Sequence, residues 1–147
     1  MSLASEAAAL LLNVEQTIAD TMNTAFVDGL HTEIQNSVRE NVYATYDPIM
    51  YNRRNMGGIM NPDYNILSKE AAPGDLEIIM ENVAPGNPDF EPTGGAGVPA
   101  DAVENNGPWN YALSPDPGPR PFMQPAAEQY VDSGQAEAAL QAALNRM

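Results

Sequence analysis

The chain has 147 residues, no cysteine and a formal net charge of −14, from 20 acidic and 6 basic side chains. That length suits one domain, the missing cysteines exclude disulfides and thiolate metal sites, and the acid excess argues against salt-driven capture of nucleic-acid phosphates. Leu, Ile, Val and Phe number 28, close to the roughly one-fifth level at which a highly charged chain runs short of core. A lone copy therefore builds a small core and gains when partners bury its surface.

From the N-terminus, the run Ala-Ala-Ala-Leu-Leu-Leu at 7–12 follows Glu6, has no basic residue before it and is too short to span a bilayer. Neither a secretory signal nor a membrane helix is expected there. Residues 3–43 are predicted helical. Val14, Ile18, Met22, Phe26, Leu30, Ile34, Val38 and Val42 recur every four residues. In a straight α-helix that spacing drifts by about 40° per step, so one flat partner cannot cover the whole stripe. Gly29 predicts a break, giving one helix over roughly 3–27 and a second over roughly 30–43.

The segment 44–84 reads as an irregular connection followed by a hairpin. Tyr64–Ala72 and Asp75–Ala84 flank Pro73-Gly74, a turn signal, and carry strand-like apolar content. Their alternation is imperfect. Either one face is core and the other an oligomer contact, or the strands are buried on both faces. Residues 85–124 form an extended loop or arm, rich in Pro and Gly, with a short strand expected near 109–113 where Trp109, Tyr111 and Leu113 alternate. A C-terminal helix is predicted over 125–146, with Pro125 in its first turn and a kink or restart at Gly134, where Asp132 and Gln135 have capping-box spacing. The fold class is α+β: a long N-terminal helical segment, a small antiparallel sheet, a long loop and a C-terminal helix, within a single domain over 1–147.

No residue pattern points to catalysis. His31 is the sole histidine, so a histidine-rich metal cluster is impossible, and the residue reads as a partly exposed helix position. Two of the twenty acids could be proposed as a hydrolase pair, but spacing along the chain cannot test a separation across a cleft. The Asn-Pro-Asp and Ser-Pro-Asp stretches fit Asx turns better than a calcium loop, and Gly94–Gly97 lacks the lysine of a phosphate loop. No catalytic residue, cofactor or metal is expected.

Two basic spots stand out in so acidic a chain. Arg53 and Arg54, near Tyr46 and Tyr51, are natural partners for a neighbour's carboxylates and lie among interface-prone residue types. Arg120 is held between Pro119 and Pro121, with Phe122 and Met123 beside it. Its planar fork suits a carboxylate or a helix C-terminus, and the two apolar neighbours must bury somewhere. Tyr46, Pro48, Tyr51, Arg53, Arg54, Trp109, Arg120, Pro121, Phe122 and Met123 are the candidate subunit or partner interface.

The order of these elements resembles tailed-bacteriophage neck and tail-completion (tail-to-head joining) proteins. A Tyr-x-Pro-x-x-Tyr-x-Arg stretch matches Tyr46, Pro48, Tyr51 and, displaced by one place, Arg53; a Pro-Arg-Pro-Phe stretch matches Pro119–Phe122. The likeness covers 43–72 and 108–147, and 85–107 has no counterpart. It implies a small α+β subunit of a virion ring, commonly sixfold, at the head–tail interface or in the tail, joined to other neck and tail proteins. DNA would pass through without specific binding, and no membrane is involved. A tail terminator, head-closure or minor capsid protein is the nearest alternative. An acidic carboxylate-dependent hydrolase and a free adaptor are the alternatives of other classes.

Overall fold

The computed structural model describes residues 2–44, 59–84 and 121–147. The expected strand near 109–113 and the loop 85–120 lie outside them. The chain opens with helix α1, Leu3–Thr21, capped by Ser2, whose hydroxyl accepts from the Ser5 amide at 3.2 Å. A π-helical segment, Met22–Phe26, leads into α2, Val27–Ser37, and a second π segment, Val38–Tyr43, completes the rod. The residues at all these junctions have right-handed helical dihedrals, so the rod is continuous and about 60 Å long at ~1.5 Å per residue.

The expected break at Gly29 does not occur; Gly29 lies inside α2. The drifting stripe is accommodated by the π segments instead. A π turn closes by i→i+5 bonds and holds roughly 4.4 residues, so a step of four falls short of a full turn and rotates the stripe back. Each π segment contains one such step, Met22 to Phe26 and Val38 to Val42. All eight stripe members are buried or half-buried. Thr21 and Thr24, at and inside the first π segment, donate their hydroxyls to the carbonyls of Thr17 and Asp20 at 2.7 Å each, a back-bond that favours local helix distortion.

After a 3-10 turn at Pro62–Tyr64, β1 (Asn65–Lys69) pairs antiparallel with β2 (Ile79–Asn82). Asn65 faces Asn82 and Leu67 faces Met80, with an irregularity between Leu67 and Lys69. An isolated bridge between Ala72 and Asp75 closes the Pro73-Gly74 turn, where Gly74 takes a φ of 84°. The hairpin is buried on one face only. Asn65 and Asn82 point inward, whereas Ile66 and Ile79 are exposed, so burial on both faces does not hold.

The C-terminal region is two helices, α3 (Met123–Asp132) and α4 (Gln135–Leu144), restarting at Gly134 with a φ of 83°. Pro125 sits in the first turn of α3, where its missing N–H removes no helical bond. The expected capping box is absent: Gly134 is the N-cap of α4, and Gln135 donates instead to Glu33 on α2 at 2.9 Å. Helix α3 packs on α2 and α4 on α1, so the C-terminal pair runs back along the rod. The core gathers Ile34, Val38 and Val42 from the rod, Ile59, Met60 and Ala84 beside the sheet, and Phe122 and Ala126 from the start of α3.

Candidate functional site

Three polar residues of the rod grip the hairpin and the segment leading into it, and each follows a stripe member by one position. Asn23, after Met22, makes a two-way clasp with Ala71: its amide donates to the Ala71 carbonyl at 2.9 Å, and its oxygen accepts from the Ala71 N–H at 2.8 Å. His31, after Leu30, has Nε2 at 3.0 Å from the Asn65 carbonyl; a carbonyl only accepts, so Nε2 carries the proton. Gln35, after Ile34, donates to the Met60 carbonyl at 3.2 Å. Sequence reasoning missed this grip. Its available signal was a polar residue repeatedly flanking an apolar stripe at the same offset.

Behind His31 lies a polar knot. Asn82 donates to Asn65 Oδ1 at 2.8 Å and to the Ile59 carbonyl at 3.0 Å, and its oxygen accepts from the Ala84 N–H at 3.2 Å. Asn65 Nδ2 is buried without a partner. Such a donor costs about 1–3 kcal/mol in desolvation. At the hairpin's far end Lys69 bridges Asp75, at 3.0 Å, and Glu77. The bond to Glu77, with that to Asp75, holds the ammonium above its usual range. The groups are largely exposed, so the bridges orient the turn more than they stabilise the fold.

Of the predicted interface residues, Tyr46, Pro48, Tyr51, Arg53, Arg54, Trp109 and Arg120 lie outside the described residues. Pro121 is exposed, and Met123 is half-buried against the core. Among the described residues Phe122 is the largest fully buried side chain, at 0 % exposure. The ring belongs to the core cluster that also holds Ile34, Val38 and Ala126, which is where the chain itself buries it. Asn23, His31, Gln35 and Asn82 are used for internal fastening, and among the described residues no three His, Asp or Glu side chains converge as a metal group.

The remaining feature is apolar surface. Leu3, Leu10, Leu11 and Leu12 are exposed on α1; Ile66, Leu76, Ile79 and Val83 on the hairpin; Val131, Leu144 and Met147 on the C-terminal helices. Among the described residues no helix is long and apolar enough to cross a membrane. The geometry is that of a fastened frame with uncovered apolar faces, suited to contacts with other chains.

No curated protein and no solved structure gives a significant match to the chain. The sequence model of the YomN family matches residues 6–146, from the first turns of α1 through the end of α4, and the chain therefore belongs to the YomN family, a phage-associated family whose name is that of a Bacillus SPbeta-type gene.

Proposed function

We propose that this protein is a structural component of a tailed-phage virion, a ring-forming neck or tail-completion subunit that joins head to tail around the DNA passage. The observation that carries the reading is the imbalance between a small internal core and a long rod whose N-terminal leucines remain uncovered, in a chain of a phage-associated family. Heterologous contacts between copies close into rings and cover such faces. The net charge of −14 supports the same role, because a negative wall repels a passing polyanion and does not retain it. Arg120, on its proline-braced approach to α3, would orient an arm across a neighbour.

The test is the position of the protein in the particle. A tagged copy imaged in purified virions is expected at the head–tail junction, and a deletion mutant is expected to accumulate DNA-filled heads and unjoined tails. Density in the shell, at the far tail or in no particle at all would overturn the neck assignment.

A further inference from the structure

We propose that the N-terminal part of α1, residues 3–14, is a helix–helix contact that seats the same segment of a second copy of this chain. The rod overshoots its own partner helices: every residue from Ser2 to Asn13 is exposed, and covering begins at Val14. Leu3 is 82 % exposed, Leu10 62 %, Leu11 60 % and Leu12 55 %. A stretch of about 16 Å at ~1.5 Å per residue therefore stands clear of the body with four leucines in water. Its N-terminus is capped by Ser2, so the exposed part is a formed helix rather than a fraying end.

Spacing and charge choose the occupant. Leu3, Ala7, Leu10 and Val14 follow one another at intervals of four, three and four, the seam that accepts a second helix, and Ala7 lets it approach closely. Two copies that each carry a net charge of −14 repel wherever their acidic faces meet. The hairpin's apolar residues are interleaved with Glu70, Asp75, Glu77 and Glu81, and Val131 adjoins Asp132. Residues 2–14 contain one charged side chain, Glu6. A second copy meets this face with little repulsion, and its own stripe is the matching surface. The contact is isologous, so it joins copies in pairs beside the heterologous contacts of a ring, and to that extent it rests on the reading above.

The full chain, its Leu10→Glu/Leu11→Glu variant and a Leu10→Cys variant test this by analytical ultracentrifugation and circular dichroism. The wild type is expected to form an oligomer, and the double variant a smaller species with unchanged helical content. Because the chain has no cysteine, Leu10→Cys offers a single thiol, whose maleimide labelling should slow at least several-fold as concentration rises. An oligomer of the same size in the double variant overturns this contact and leaves self-assembly standing. A monomeric wild type overturns both; if the double variant then fails to enter particles, the leucines belong to another virion protein. A lower Tm at unchanged mass assigns the leucines to an intramolecular contact and overturns the proposal as well.

Discussion

The ring of Tyr130 occupies the space that a β-carbon on Gly29 would need: such an atom would lie 2.2 Å from Tyr130 Cε2. The two residues are far apart in sequence, and their contact brings α3 against α2, with Phe26 meeting the same ring edge-on at 5.4 Å. Gly29→Ala gains about 1 kcal/mol of helix propensity but forces the buried ring aside. Overpacking of this kind costs about 1–3 kcal/mol, and a lower Tm is expected. In a Tyr130→Ala background the same change should cost less or become favourable, because neighbours are non-additive. Thermal melts of the four proteins measure this, and additive effects would refute the steric account.

Asn23→Ala removes both bonds to Ala71, a buried residue. Leaving a buried N–H and C=O unpaired is expected to cost about 2 kcal/mol, and the Ala71 amide should exchange hydrogen faster than in the wild type while amides of β1 and β2 change less. Asn23→Asp keeps the acceptor and loses the donor, so an intermediate effect is expected. Equal exchange at Ala71 in all three proteins would contradict the clasp.

Alkaline pH should destabilise the fold through Tyr130. Burial raises its phenol above the ordinary 10.0. The unfolded chain then releases the proton first, so the contribution is full below about pH 10 and fades as pH rises through the folded-state value. Lys69 acts in the same direction above 10.5, because Glu77 and Asp75 hold its proton. Tyr130→Phe should flatten the fall in Tm between pH 9 and about pH 11. An unchanged alkaline slope in this variant would remove Tyr130 from the account.

Phe122→Ala is expected to cost about 3–5 kcal/mol, the range for emptying a buried aromatic site, with a fall in Tm of about 2–4 °C for each kcal/mol. Arg120→Ala alone is therefore the clean probe of assembly, because a substitution at Phe122 would confound docking with unfolding. Chemical denaturation of the Phe122 variant checks the first statement, and the mass of the Arg120 variant in solution checks the second.

Local signals read well from the sequence. The Pro73-Gly74 turn, the restart at Gly134 and the α+β order all depend on residues close to one another in the chain, and the structure has each of them. What escaped depends on distant contacts. Gly29 resembles a helix breaker until the ring that fills its missing side chain is known. Asn23 and His31 are ordinary helix residues until the hairpin backbone arrives opposite them. That Phe122 must bury somewhere is legible from its chemistry, but only the core around the start of α3 shows that the chain itself covers the ring. The four-residue spacing was visible, but a wider turn and a break answer it equally well until the backbone is seen.

The two π segments also act as length buffers for the rod. A wide turn holds roughly one residue more than an α turn would, so deleting Thr24 or Ala25 could relax the first segment to an ordinary turn while the faces before and after it keep their headings. The same deletion within Leu30–Ser37 would swing everything downstream by about 100° and carry Val38 and Val42 away from Phe122. Relatives of different length are therefore expected to gain or lose residues within 22–26 and 38–43, and to keep a fixed count between them.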